Sequence, residues 1–234
     1  MTANLSKQAS AVTRAAAAQS AATTPPMHDA SSTIAQFLDA TAARQPTPGG
    51  GAVTALTGAL AAAIGEMVLN YSVGRKGLEA FEGELRPARD ELTQLRQQLL
   101  QAMSDDQAAY AELTAARKLP DATPDKAAKV KAALAASIKA PQQMAAAAVG
   151  MLEVADRVLN FVNPYLLSDL AVCADLAMAT ARCAIYNVRV NLPSVKDPAE
   201  QHAIQASVGQ VLGRAAALIQ RVAPRIWDRV QQGV

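Results

Sequence analysis

Apolar residues recur at helical spacing along most of this chain, and no stretch alternates apolar and polar residues for a useful strand length. The clearest series is Leu85, Ala88, Leu92, Leu95, Leu99, Ala102, Asp106, Ala109 and Leu113. Its steps of three and four predict one long helix to about Lys118, with Pro87 near its first turn or kinking it. Ahead of it, residues 52–65 carry no charge, and only Thr54 and Thr57 are polar. Gly51, Gly58 and Gly65 are seven apart, with Ala55 and Ala62 between them, which makes a stripe without bulk that another helix can approach closely. The uncharged run is shorter than the roughly 20 residues a bilayer span needs, and Glu66 and Asn70 follow, so the pattern predicts a buried central helix and no membrane span.

The remaining elements follow from caps and breakers. Thr33 and Gln36 form a capping box that opens a helix through Arg44. Gly74-Arg75-Lys76-Gly77 reads as a basic turn after the central helix. Thr123-Pro124-Asp125 reads as an N-cap, a proline at the first helical position and an acid. That helix reaches Ala140, is broken or bent at Pro141, and resumes to about Phe161. Asn163-Pro164 marks a break, Ser168 is the expected cap of a helix to about Asn191, and a last helix after Pro198 is expected to bend or break near Pro224. There is no internal repeat. The expected architecture is all-α, a bundle of six to eight helices with one long helix and a buried small-residue central one. Residues 1–31 are rich in Ala, Ser, Thr and Gln and read as a disordered tail, although a transit peptide has a similar composition and Met27 could serve as a start. Residues 32–234 read as the helical domain.

Composition sharpens this picture. Hydrophobic residues make up 51% of the 234 and aromatics only 3%, with alanine dominant, which suits closely packed helices. The formal net charge is +2 and no basic cluster is interleaved with aromatics, so nucleic acid is not an expected partner. Cys173 and Cys183 lie ten residues apart on one predicted helix, a rise of about 15 Å, so they cannot bridge each other. They read as core filler, and a reducing cytoplasm fits. The two histidines, His28 and His202, sit in no zinc-like spacing, and no metal site is expected.

Candidate chemistry gathers at a few places. In Pro46-Thr47-Pro48-Gly49-Gly50-Gly51 the prolines hold the approach extended, and the glycines permit φ values that aim successive N–H groups at one point. A glycine turn feeding a helix start is either an anion or oxyanion cradle or a tight turn that launches a buried helix. Asp106 occupies a core position in the long apolar series, where a charge is costly unless paired or protonated. It is either a general acid/base or a structural polar residue that fixes register. Asp169 and Asn187 are eighteen apart, five whole turns, and share a face with Cys173, Leu176, Thr180 and Cys183; Asn191 lies close to it. Asp175, Arg182 and Arg189 form a separate, solvated stripe. Arg75 and Lys76 are cationic partners for a carboxylate, or a solvated turn at a helix end.

Phe37-Leu38, Pro46-Thr47-Pro48-Gly49-Gly50-Gly51, Gly58-Ala59, Met67-Val68 and Gly74-Arg75-Lys76 together resemble the cyclodeaminase/cyclohydrolase family. Asp105-Asp106 with Tyr110, Leu119-Pro120, Thr123-Pro124, Asn163, Ser168-Asp169-Leu170, Tyr186-Asn187-Val188 and Asn191-Leu192 continue the likeness in order, over roughly residues 33–222. The family often has serine where this chain has Ala52, and glycine where it has Val162. The resemblance implies an all-helical homodimer that handles a one-carbon unit between N5 and N10 of tetrahydrofolate, with no cofactor beyond that folate substrate and no membrane. It implies hydrolysis of 5,10-methenyltetrahydrofolate to 10-formyltetrahydrofolate, preferred because no formiminotransferase domain is attached. The alternatives are ammonia release by a formiminotetrahydrofolate cyclodeaminase, or a non-catalytic folate-binding dimer. On this reading Asp106 is the acid/base and Asp169 its partner in one dry cleft beside the glycine turn, while Arg75 and Lys76 are cationic partners for the folate glutamate tail, or Lys76 polarises the reacting group. Pro48, Gly49, Gly50, Gly51, Arg75, Asn187 and Asn191 bind substrate.

Overall fold

The structure, a computed structural model, describes residues 27–232. Six α-helices and three 3-10 turns make up the regular structure among the described residues: α1 (Ile34–Ala42), α2 (Gly50–Asn70), α3 (Glu82–Lys118), α4 (Lys126–Val158), α5 (Leu167–Asn191) and α6 (Pro198–Gln231). The all-α expectation holds. Residues 1–26, where most of the expected tail falls, lie outside the described residues. The stretch from residue 27 to 31 is not tail-like, because the backbone of His28 is paired with the buried Gln107 amide: Gln107 Oε1 accepts the His28 N–H at 3.0 Å, and Gln107 Nε2 donates to the His28 carbonyl at 2.6 Å.

α2, α3, α4 and α5 form a four-helix bundle in which α2 packs on α3 and α5, and α4 packs on the same two across the diagonal. α6 lies along α5 and α4 and is lashed to α4 by Arg221 and Arg225 on Asp156 and by Arg214 on Glu153. The core holds large side chains such as Leu85, Leu92, Leu152 and Leu170, with many alanines where helices approach closely.

The small-residue stripe of α2 is a contact surface on two sides. A Cβ on Gly58 would stand 2.9 Å from Thr180 Cγ2 and 3.0 Å from a Leu99 methyl. One on Gly65 would stand 2.8 Å from Cys173 Sγ and 2.9 Å from Leu92. The seven-residue step of 51, 58 and 65 therefore meets 106, 99 and 92 on α3; on α5, Gly58 meets 180 and Gly65 meets 173, while 187 faces Gly50. Glu66 and Arg96, at 2.8 Å, join α2 to α3 beside this seam. Among the described residues α2 alone is long and apolar enough to cross a membrane, and more than half of its most apolar window is buried within the bundle.

Several local expectations give way. Pro141 and Pro224 lie inside unbroken helices. α4 starts later than its expected Thr123 cap, because Thr123 instead closes a turn by accepting the Lys126 N–H and Asp125 takes the left-handed conformation at φ 61°. Ser168 caps nothing: α5 already begins at Leu167, and Asn163 Oδ1 caps the preceding 3-10 turn by accepting the Tyr165 N–H at 3.2 Å. Cys173 is buried, as expected of core filler, but Cys183 is exposed.

Candidate functional site

The glycine turn meets the long helix at Asp106. Gly49 is extended and Gly50 and Gly51 open α2, so none of the three uses a positive φ, contrary to the expected reason for their presence. Gly51, and to a lesser degree Gly50, serves close approach, whereas Gly49 has room for a Cβ. A Cβ on Gly51 would fall 2.0 Å from Asp106 Oδ1, and one on Gly50 would fall 3.3 Å from Asn187 Oδ1. The carboxyl of Asp106 thus lies flat against the start of α2, where any other residue at 51 would displace it. Burial pushes its pKa above the usual 3.8, and the backbone N–H of Ala52 opposes this by favouring the charged form. Ala52 itself is fully buried, so the position where the family often has serine faces the core.

Asn187 donates to the Cys183 carbonyl at 2.9 Å and to Thr54 Oγ1 at 3.4 Å, which holds its amide against Gly50. Asn191, one turn on, donates to the Asn187 carbonyl at 3.1 Å and to the Ser137 carbonyl of α4 at 3.4 Å. Pro48 is buried behind the turn after a cis Thr47–Pro48 peptide. This end of the bundle therefore gathers Pro48, Gly49, Gly50, Gly51, Asp106, Asn187 and Asn191. Thr54 and Ser137, which complete the polar ring, carried no pattern beyond ordinary helix positions.

The other expected residues lie elsewhere. Asp169 shares a face with Asn187 but sits eighteen residues earlier on the same straight helix, about 27 Å away along its axis. Arg75 and Lys76 follow the far end of α2, about 30 Å from Gly50. There Arg75 stacks over Tyr165 at 5.5 Å, and the Asn163 N–H donates to Ser72 Oγ at 2.9 Å. Within one subunit, then, Asp106 and Asp169 do not share a cleft, and Lys76 does not reach the glycine turn. A shared angular position round a helix does not bring residues eighteen apart together.

The fold is thus a helical bundle that holds a half-buried carboxyl against a glycine-lined helix start. The chain belongs to the formiminotransferase-cyclodeaminase family, whose pattern matches residues 33–210. It is 31% identical over 202 residues to a methenyltetrahydrofolate cyclohydrolase of Methylorubrum extorquens, covering 85% of this chain and 97% of that one. It is 27% identical to the formimidoyltransferase-cyclodeaminase of Gallus gallus, covering 70% of this chain but only 31% of that longer protein. The fold matches a formiminotetrahydrofolate cyclodeaminase from Thermotoga maritima with a TM-score of 0.74 at 26% identity, over 86% of this chain and 97% of that one.

Proposed function

We propose that this chain hydrolyses 5,10-methenyltetrahydrofolate to 10-formyltetrahydrofolate, with Asp106 as the acid/base. The observation that carries the reading is the Asp106 carboxyl seated on Gly51, its pKa raised by burial, a shift that the Ala52 N–H opposes. The cyclohydrolase of Methylorubrum extorquens, matched over nearly its whole length, supports the same choice. As water attacks the cationic methenyl carbon, the carboxylate takes its proton and a neutral tetrahedral carbon forms. The acid then gives that proton to N5 as the N5–carbon bond breaks, takes up the hydroxyl proton as the formyl carbonyl forms, and releases it to solvent to restore the carboxylate. The ionised carboxylate also stabilises the methenyl cation beforehand. Asn187 and Asn191 offer amides to the pterin edge. The chemistry asks for no metal or redox cofactor.

The Thermotoga maritima cyclodeaminase favours a second reading, in which N10 attacks a 5-formimino carbon and the same acid protonates departing ammonia. Incubating the protein with methenyltetrahydrofolate and following its absorbance, corrected for spontaneous hydrolysis, tests the first. Ammonia release from formiminotetrahydrofolate tests the second. A decay no faster than buffer sinks the hydrolase assignment.

The working unit on this proposal is a homodimer. Leu60 of α2, with Tyr186 and Val190 of α5, exposes 55%, 66% and 73% of its surface respectively, and Val53, Tyr71 and Val172 extend the same two-helix face. Asp175 lies toward one end of this face, and Arg182 and Arg189 toward the other. A two-fold that runs α2 antiparallel to its copy sets acid against base, and near the Gly58–Thr180 level it brings Asp175 opposite Arg182. The same operation carries Arg75, Lys76 and Asp169 of one subunit to the Asp106 end of the other, so those residues join the site across the interface. The free thiols of Cys173 and Cys183 fit a cytoplasmic setting.

A further inference from the structure

We propose that Thr54 and Pro141 are positioning residues: they lock the amides of Asn187 and Asn191 with both oxygens left to accept, so the rim beside Asp106 reads a hydrogen-bond donor edge. For the substrate read above, on which this inference rests, that edge is the 2-amino group and N3–H of the pterin. Each amide nitrogen has two N–H groups, and both are spent inside the bundle. Asn187 Nδ2 donates to the Cys183 carbonyl at 2.9 Å and to Thr54 Oγ1 at 3.4 Å. Asn191 Nδ2 donates to the Asn187 carbonyl at 3.1 Å and to the Ser137 carbonyl at 3.4 Å. No donor among the described residues reaches either Oδ1.

Two local devices hold that polarity. The hydroxyl of the buried Thr54 gives its proton to the Gly50 carbonyl at 2.7 Å, so toward Asn187 it can only accept. Ser137 lies inside α4, where its carbonyl would ordinarily take the N–H of the residue four places on. That residue is Pro141, which has no N–H and whose ring crowds the carbonyl. The proline within the helix therefore leaves one carbonyl over, and Asn191 takes it. Turning either amide over would set its oxygen against carbonyls that can only accept, which fixes both orientations. Asn187 and Asn191 are half-buried and one turn apart, with Cβ atoms about 5–6 Å from each other. Two neighbouring carbonyl oxygens match an amino group with an adjacent ring N–H, and they repel the carbonyl oxygen on the other side of that N–H.

The test titrates two probes into the full chain and its variants by calorimetry: 5,10-dideazatetrahydrofolate, which keeps the pyrimidine edge but lacks the reacting nitrogens, and its 2-desamino analogue. Wild type is expected to prefer the 2-amino probe by about tenfold or more. Thr54→Val fills the same space without the hydroxyl, and Pro141→Ala returns an N–H to the Ser137 carbonyl. Each should cut that preference by about threefold or more, whereas Thr54→Ser should keep it. Pro141→Ala should do so even where it raises the melting temperature, a combination that a purely structural proline would not give. Equal affinity of the wild type for the two probes, or no binding of either, overturns the proposal, and a ratio unmoved by one variant strikes that residue from it. A 2-amino preference without methenyl hydrolysis removes the hydrolase reading and leaves the acceptor rim standing; hydrolysis without that preference does the reverse.

Discussion

Asp106 was legible because it interrupted an otherwise apolar series, and a carboxyl there needs a reason. What the series could not reveal was the partner: the place where a Gly51 side chain would go is occupied by that carboxyl. Asp106→Asn keeps the shape and removes the titrating proton, so kcat should fall by about 10² to 10⁴ in the methenyl assay, while the far-ultraviolet circular dichroism stays unchanged. The same variant has a pH signature in stability. The folded chain binds the Asp106 proton more tightly than the unfolded chain does, so wild-type stability declines as pH rises from the ordinary value of 3.8 through the raised folded value, and then levels off. Relative to wild type, the melting temperature of Asp106→Asn should therefore be higher at about pH 7.5 than at about pH 4; the opposite trend would remove burial as the cause. Gly51→Ala must move the carboxyl by an ångström or more, and kcat/KM should drop on the order of 10²-fold.

Among the elements, helices with strong periodicity or caps were readable, whereas prolines misled. Pro141 and Pro224 look like possible breaks, but α4 and α6 continue through them without interruption. The glycine stripe of α2 predicted a close helix contact, and it serves two neighbours inside one subunit. Gly58→Ala tests whether that closeness is needed. Alanine gains about 1 kcal/mol of helix propensity, but its methyl would press on Thr180 Cγ2 and Leu99 at a cost of about 1–3 kcal/mol. A net loss on the order of 1 kcal/mol in denaturant unfolding is expected, and Thr180→Ser in the same chain, which deletes Cγ2, should restore part of it. A stabilised Gly58→Ala would mean the seam has slack.

For the molecule as a whole, periodicity gave the angle of each residue round its helix but not its height. Asp169 and Asn187 point the same way from α5 and still lie at opposite ends of the bundle. In the proposed homodimer, a second copy turned end for end would bring the far cluster to the glycine turn. Complementation decides this: Asp106→Asn and Lys76→Ala, each inactive alone, should regain about a quarter of wild-type activity when dissociated, mixed equally and reassembled, because half the dimers are hybrid and each hybrid has one intact site. No recovery would confine the chemistry to one subunit. Finally, α2, α3 and α5 mesh through one shared step of seven residues, from Leu92 and Leu99 to Asp106 on α3 and from Cys173 and Thr180 to Asn187 on α5. Helix length here works as a counting rule. One residue inserted between Leu99 and Asp106 would leave every side-chain type in place and swing the carboxyl about 100° off Gly51, so this stretch should tolerate exchange of residues far better than a change in their number.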